Sequence, residues 1–400
     1  MAPKAPLGIA LSGGADSTAL ALIAARALGA EALRAATVDH RLRPESREEA
    51  EVAGRIAASL GIPHEILTWQ EAHQDRAPTG EGGGNLQARA RTARQGLLAD
   101  WARTRGLSAV LLGHTMDDQA ETVLMRLERG SGADGLAGMA ARVEIGGMVW
   151  LRPLLDLRRA DLRDLLRAEG LDWTEDPSNQ DPGFDRIRIR GVIKTLGLDV
   201  ERLARTAQHL ARQRRVLEAD RDRLAARAAR IGAAGEVLLN QAAMHAAEED
   251  TRLAVLADAL SWIGHQPYRP RFRALTAVWT AETAQTLAGC MVMPGEETLT
   301  ICREPAACPP PEAARDGLVW DGRWKISGPC PAGLVIGAAK DADRDAILVG
   351  VASEPGTATP AQAMQTAPVL SRSSPQGPPP ENLPRLDLLR PARFRRSASL

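Results

Sequence analysis

The chain has 400 residues, enough for two or three domains, and its 50 Lys and Arg balance its 50 Asp and Glu. No global field therefore draws it to nucleic acid, and any RNA affinity must come from a local patch. No apolar run approaches the roughly 20 residues that cross a bilayer, and the start Met1-Ala2-Pro3-Lys4-Ala5-Pro6 leaves no room for a signal peptide, so the expectation is a cytoplasmic protein with no membrane partner. Cys290, Cys302, Cys308 and Cys330 all lie in the last third without Cys-Xaa-Xaa-Cys spacing, which argues against zinc, iron–sulfur and disulfide frameworks.

Leu7 to Leu11 reads as one buried strand. Ser12-Gly13-Gly14-Ala15-Asp16-Ser17-Thr18 follows, with N-cap residue types at 16 to 18, and Ala19 to Leu28 reads as a helix stopped by Gly29. Strand, glycine turn and helix N-terminus form a phosphate-binding layout, because free backbone N–H groups and the helix dipole both face an anion. Asp16 would repel a bare phosphate, which points to an intervening Mg²⁺. The loop is neither a Walker A sequence nor the dinucleotide fingerprint. Ser-Gly-Gly-Xaa-Asp-Ser after a strand resembles the PP-loop, or N-type ATP pyrophosphatase, family. An ordinary glycine-rich turn is the bland alternative.

Leu33 to His40 is a second expected strand. Its polar end makes Asp39 and His40 candidates for the ligand edge of the sheet, although two loop residues would look the same. Pro44 opens a helix that Gly61 and Pro63 end, and His64 to Trp69 is a third strand. Residues 70–84 are polar and glycine-rich and read as a loop. Asn85 caps a helix reaching about Arg105, on which Arg91 and Arg94 share a face. Leu107 to Gly113 is a fourth, almost wholly apolar strand. Four βα repeats imply a doubly wound, mainly parallel α/β sheet.

The fourth strand runs into His114-Thr115-Met116-Asp117-Asp118-Gln119-Ala120-Glu121-Thr122. Asp118 and Glu121 are three apart and share a helix face. A helix dipole explains acids there in general, but not a histidine and three acids crowded at the ligand edge. A carboxylate pair there suits an ammonium group or Mg²⁺.

This stretch, with Arg129-Gly130-Ser131-Gly132 and Gly135-Leu136-Ala137-Gly138-Met139, resembles the tRNA(Ile)-lysidine synthase family. So do Val38-Asp39-His40-Arg41-Leu42-Arg43, Asn85-Leu86-Gln87-Ala88-Arg89-Ala90-Arg91, Arg152-Pro153-Leu154-Leu155 and Trp173-Thr174-Glu175-Asp176-Pro177-Ser178-Asn179. The resemblance covers about residues 7–195. One departure stands out: the family usually has Arg-Asn-Xaa-Ile-Arg where this chain has Arg186-Ile187-Arg188-Ile189-Arg190. Both outer arginines remain, and Ile187 is left out of the site.

The resemblance implies an adenine nucleotide alpha hydrolase-like catalytic domain over 1–200. A smaller, mostly helical tRNA-contacting region would follow over 201–352. It implies ATP and Mg²⁺, free L-lysine, and an isoleucine tRNA with a CAU anticodon. Ser12, Gly13, Gly14, Ala15, Asp16, Ser17 and Thr18 would hold the phosphates, with Asp16 on the metal. Asp118 and Glu121 would hold the lysine ammonium. Arg91, Arg186 and Arg190 would share the lysine carboxylate and a tRNA phosphate, and Asp39 completes the catalytic set. Oligomeric state is left open, a homodimer among the options.

Residues 186–230 carry thirteen Lys and Arg against five acids. Leu203, Leu210, Leu217 and Leu224 form a heptad seam along them. A solvated linker helix or a rail for tRNA phosphates both fit. Leu318 to Ile326, with Trp320 and Trp324, reads as a strand pair. After 353 the composition turns to Pro, Ser, Thr and Gln, and 353–400 reads as a disordered tail. Three rival functions are weaker. Thiolation of tRNA wants cysteines near the phosphate loop, and none precedes Cys290. An amidotransferase wants a glutaminase domain. A nucleotide sensor would not need the acid cluster or the basic helix.

Overall fold

A computed structural model describes residues 6–41, 46–69, 83–145, 147–175, 185–266, 269–342, 347–350, 361–372 and 383–389. The chain divides into two compact units, 1–214 and 215–400. That boundary falls inside one long helix, not at residue 200.

The first unit alternates strand and helix in the order expected. Its elements are β1 (Leu7–Ala10), α1 (Ala15–Leu28), β2 (Leu33–Asp39), α2 (Ser46–Ser59), β3 (His64–Thr68), α3 (Gly83–Thr104) and β4 (Val110–Leu111). There follow α4 (Met116–Glu128), α5 (Ala133–Leu136), β5 (Arg142–Ile145), β6 (Met148–Leu151), α6 (Arg159–Ala168), α7 (Asp185–Thr195) and α8 (Val200–Ala228), which contains the unit boundary. The strands form one sheet in the order β3-β2-β1-β4-β6-β5. All pairings are parallel except the β5–β6 hairpin, where Gly147 just before β6 adopts φ +74°. The four-repeat reading overlooked that hairpin, although a glycine pair between two short runs is a hairpin signal.

Leu7 and Ile9 of β1 are enclosed, as a central parallel strand requires. One face of the sheet packs α1, α2 and α6 through Leu20, Leu22, Ala53, Ala57, Leu162 and Leu166. The other packs α3 through Leu98, Trp101 and Ala102. From β1 the chain winds outward to β2 and β3, then returns to β4 on its other side. The loops after β1 and β4 therefore meet at a topological switch point, where open α/β sheets bind ligands. They meet closely: a Cβ on Gly113 would lie 3.0 Å from the Asp16 carbonyl oxygen in the first turn of α1, so any larger residue there would push against that backbone.

The second unit departs from the mostly helical expectation. It does carry α9 (Gln241–His245), α10 (Glu249–Gly264) and α11 (Phe272–Trp279). Around them lie β7 (Ala229–Ile231), β8 (Val237–Asn240), β9 (Gln285–Leu287), β10 (Cys290–Pro294) and β11 (Thr298–Arg303), an antiparallel sheet ordered β7-β8-β11-β10-β9. Further on, β12 (Glu312–Ala313), β13 (Val319–Trp320), β14 (Trp324–Ser327), β15 (Leu334–Ala338) and β16 (Ile347–Gly350) precede α12 (Ala361–Gln365), β17 (Pro368–Arg372) and β18 (Arg385–Leu388). The β13–β14 pair falls where the two tryptophans placed it.

The tail reading is corrected for its described part. β17 lies between β15 and β16, and β18 pairs with β14. Leu370 is fully enclosed beside Trp320, Trp324 and Ile336. Few apolar residues suffice there, because both strands complete sheets begun earlier in the chain. Residues 353–360, 373–382 and 390–400 lie outside the described residues, as do most of the 70–84 loop and Asp176 to Asn179.

Candidate active site

The phosphate loop forms as read, with the helix starting earlier. Gly13 adopts φ +81° and Gly14 is the N-cap of α1, with no side chain capping the helix. Asp16, Ser17 and Thr18 are not caps but members of the first turns. An uncapped N-terminus leaves its first N–H groups for an anion. Ser17 Oγ donates to the Gly14 carbonyl at 3.0 Å and accepts from the Ser12 N–H at 3.1 Å, which fixes the loop's curl. The Ser12 and Ser17 hydroxyls lie 3.0 Å apart. Thr18, read as a phosphate donor, is wholly enclosed beneath the loop. The Trp173-Thr174 motif braces the loop from outside: the Thr174 N–H donates to the Gly13 carbonyl at 2.8 Å.

Across the switch point, α4 starts with a reciprocal cap. Thr115 N–H and Oγ both donate to Asp118 Oδ2 at 2.8 Å, and the Asp118 N–H donates back to Thr115 Oγ. The cap aims Asp118 Oδ1 outward. Burial opposes its ionisation, but the Arg159 charge and the Thr115 hydrogen bonds prevail and hold the carboxyl below its usual range. Asp117 does different work. Its Oδ2 accepts from the Arg159 N–H at 2.8 Å and so anchors the start of α6. Gln119 and Arg126 bind carbonyls and an N–H of the 135–139 segment, which accounts for the Gly-Leu-Ala-Gly-Met motif as structural.

One residue that the sequence reading missed joins both halves. Arg159 donates from Nε to Asp16 Oδ2 at 3.0 Å and from Nη2 to Asp118 Oδ1 at 3.0 Å. Its Nη1 lies 3.4 Å from Glu121 Oε1, which also accepts from Arg190 Nε at 2.9 Å. The Arg159 side chain is 17% exposed and Glu121 only 2%. The available signal was Arg158-Arg159 at the head of a helix, where the macrodipole disfavours cations unless anions face them. Burial raises the Asp16 carboxyl above its usual range, with Arg159 pulling the other way. Among the described residues, Asp16 Oδ1 and Glu121 Oε2 are buried oxygens without a hydrogen-bond partner.

The other expected residues sort into two groups. Arg190 reaches Glu121, as above. Arg186 and Arg94 lie close enough to His114 to act on its charge, as does Arg152, and Arg91 acts on Arg94 and Arg152. Together these four arginines form a positive patch beside the acid cluster. Asp39 Oδ1 accepts from the Arg41 N–H at 2.9 Å and from the Ser46 hydroxyl at the start of α2 at 2.6 Å. Among the described residues it makes no hydrogen bond or ion pair with Asp16, Asp118 or Glu121. Ile187 is half-buried on α7.

Burial pushes the His114 imidazole down to about 4, Asp118 pulls it up, and Arg152, Arg186 and Arg94 add to the depression. The folded ring is therefore neutral at pH 7, with Nδ1 buried and without a partner among the described residues. An unfolded histidine titrates near ~6.5. Below that pH the unfolded chain takes a proton that the folded chain refuses, so stability falls as pH drops toward about 4. His114→Gln is expected to lose roughly 2–3 kcal/mol less than the wild type between about pH 7 and pH 4.5. Urea denaturation at the two pH values checks this, and equal losses would refute it.

Mg²⁺ is commonly held by one or two carboxylates plus substrate phosphates. The buried, unpartnered Asp16 Oδ1 beside the phosphate loop is the oxygen suited to it.

Fold and phosphate loop define the first unit as a PP-loop domain, and a family model of that description matches residues 2–196. Over 335 residues the chain is 43% identical to a tRNA(Ile)-lysidine synthase of Ruegeria pomeroyi, covering 82% of this chain and 78% of that protein. It is 43% identical to the Methylobacterium nodulans protein of that description, over 66% of this chain and 76% of that one. For the Rhodopseudomonas palustris protein so described, identity is 40%, over 74% and 90%. The chain belongs to the tRNA(Ile)-lysidine synthase family.

Proposed function

We propose that the chain ligates free lysine to position 2 of the wobble cytidine in an isoleucine tRNA with a CAU anticodon. The reaction has two halves. The cytidine O2 attacks the α-phosphorus of ATP and pyrophosphate leaves. The ε-amine of lysine then attacks C2 of the adenylated cytidine and AMP leaves, giving lysidine, which pairs with A rather than G. The observation that carries the reading is the meeting of a phosphate loop with the buried Asp118–Glu121 pair at one switch point, in a chain of this family.

Ser12, Gly13, Gly14, Ala15 and Ser17 hold the phosphates through loop and helix N–H groups and hydroxyls. Mg²⁺ at Asp16 would supply charge neutralisation on the phosphates. Asp118 and Glu121 seat the lysine ammonium. Only the neutral amine attacks, so its proton passes to one of these carboxylates or to the neutral His114 ring. Arg190 orients Glu121. Arg91, Arg186, Arg94 and Arg152 form the anion side and take the lysine carboxylate or a tRNA phosphate. A tRNA substrate supports a cytoplasmic reading. No helix among the described residues is long and apolar enough to cross a membrane.

The test is transfer of radiolabelled lysine to a CAU isoleucine tRNA transcript with ATP and Mg²⁺, against a control whose wobble cytidine is uridine. Label that needs both ATP and the cytidine supports the reading. AMP formation without label would mean another nucleophile. Burial pushes the Cys290 and Cys302 thiols up to about 12, so they stay protonated, which speaks against a thiolation reading.

Helix α8 is the rail for the tRNA backbone. Leu224 is buried, Leu203 and Leu210 are half-buried, and Leu217 is exposed, so the heptad seam is only partly covered. Arg212 and Arg215 are exposed on this helix. Reversing both charges is expected to weaken tRNA binding and flatten its log–log salt dependence by up to about 0.7–0.9 per lost phosphate contact. Filter binding over a salt series measures the slope, and an unchanged slope makes this face a solvated one.

A further inference from the structure

Three carboxylates, from Asp16, Asp118 and Glu121, converge on the Arg159 guanidinium. The first stands on the phosphate loop. The other two are the seat read above for the lysine ammonium. One side chain thus spans the binding places of two substrates. Arg159 leaves the head of α6, whose first backbone N–H is held by Asp117. The backbone start is fixed, while the guanidinium sits at the end of a long side chain with several rotamers.

The charges decide what such a bridge does. With nothing bound, three carboxylates in a largely enclosed place need counter-charge, and Arg159 and Arg190 supply it. A lysine ammonium needs the same acceptors, because an ammonium carries three donors and no acceptor. Asp118 has one oxygen committed to Thr115 and the other to Arg159. Glu121 keeps one buried oxygen without a partner among the described residues. Lysine therefore finds half a seat while Arg159 is in place. Nucleotide changes the balance. A polyphosphate on the loop brings strong negative charge beside Asp16, and a guanidinium binds phosphate oxygens through the same forked donors it uses for carboxylates.

We propose that Arg159 gates lysine binding: it occupies the ammonium seat at Asp118 and Glu121 until the polyphosphate of bound nucleotide draws its guanidinium off them. Arg159 is then a positioning residue that couples the two sites. Lysine binds after ATP, so the amine is seated only when an adenylating substrate is present. The coupling is reciprocal, since whatever factor nucleotide adds to lysine affinity, lysine adds to nucleotide affinity. This inference rests on Asp118 and Glu121 being the ammonium seat.

The experiment is calorimetric titration of L-lysine into the full chain, alone and saturated with α,β-methylene ATP and Mg²⁺, an analogue that cannot be cleaved between its α and β phosphates. For the wild type, nucleotide is expected to tighten lysine binding by about tenfold or more. Arg159→Gln is expected to bind lysine equally well in both conditions, within about twofold, and to bind it without nucleotide more tightly than the wild type does. A wild type with no nucleotide effect, or an Arg159→Gln variant that keeps the full effect, overturns the gate. If circular dichroism shows that variant unfolded, Arg159→Lys carries the test. It keeps the charge without the fork, so its nucleotide effect is expected to be smaller than the wild type's, and an undiminished effect overturns the gate. Glu121→Gln separates the gate from the reading beneath it. If that variant binds lysine as the wild type does with nucleotide, the seat lies elsewhere and both fall. If it loses lysine while Arg159→Gln keeps the nucleotide effect, only the gate falls.

Discussion

Asp118→Asn is expected to cut lysine transfer by about 10- to 150-fold, the loss of a charge-assisted contact worth roughly 1.5–3 kcal/mol, while ATP binding does not weaken. Asparagine is the informative replacement. Its amide oxygen still accepts from Thr115 N–H and Oγ, which now bond Asp118 Oδ2, so the start of α4 survives. What changes is Oδ1, where an NH₂ replaces the oxygen that faces Arg159 at 3.0 Å. That group repels an ammonium instead of attracting it. Alanine would add the loss of the helix cap, typically about 1 kcal/mol, and blur stability with function. Single-turnover assays of pyrophosphate release and lysine incorporation, run side by side, separate the halves of the reaction. Pyrophosphate release should persist and incorporation should fall. Incorporation at the wild-type rate would remove Asp118 from the site.

Much of this site could be read from the chain because its signals are local. Ser12 to Ser17 sit between a buried strand and a helix, and the structure puts them at the head of α1. Asp118 and Glu121 share a helix face by their spacing alone, and both are buried together. Arg159 was missed because its meaning is not local. It lies 143 positions from Asp16 and 41 from Asp118, and only folding brings the three together. The Asp39 reading shows the reverse limit. A polar residue at the carboxyl end of a parallel strand is a fair candidate for a ligand edge, but Arg41 in the following loop and Ser46 at the start of α2 engage its Oδ1.

The pair Asp117-Asp118 carries the same lesson at one-residue resolution. Both are acids in the first turn of α4, and the dipole favours both equally. One anchors the start of α6 and the other meets the Arg159 guanidinium, because successive side chains on a helix point about 100° apart. Composition was least informative in the tail. Proline, serine and glutamine predict disorder when a segment must build its own core. β18 instead adds to the β13–β14 pair, and β17 joins β15 to β16, so both lean on strands from earlier in the chain.

Asp16→Ala is expected to cripple the first half-reaction, lowering tRNA-dependent pyrophosphate release by about 10²- to 10³-fold, the cost typical of removing one group that stabilises charge developing in a transition state. Asp16 is the acid in the first turn of α1, and one of its oxygens is buried without a partner among the described residues. A carboxylate placed against a phosphate site lowers affinity by repulsion unless a cation stands between them. If Asp16 only paired with Arg159, its removal would free that arginine for the phosphates, and ATP would bind more tightly with no loss of rate. If Asp16 holds Mg²⁺, the variant loses rate and needs more Mg²⁺ to recover part of it. A Mg²⁺ titration of pyrophosphate release therefore distinguishes the two roles. A variant that releases pyrophosphate normally at the wild-type Mg²⁺ concentration would contradict the metal role outright. Because adenylation precedes lysine attack, Asp16→Ala must lose both half-reactions, whereas Asp118→Asn loses only the second, and that asymmetry is what places the two carboxylates on different substrates although a single guanidinium now joins them.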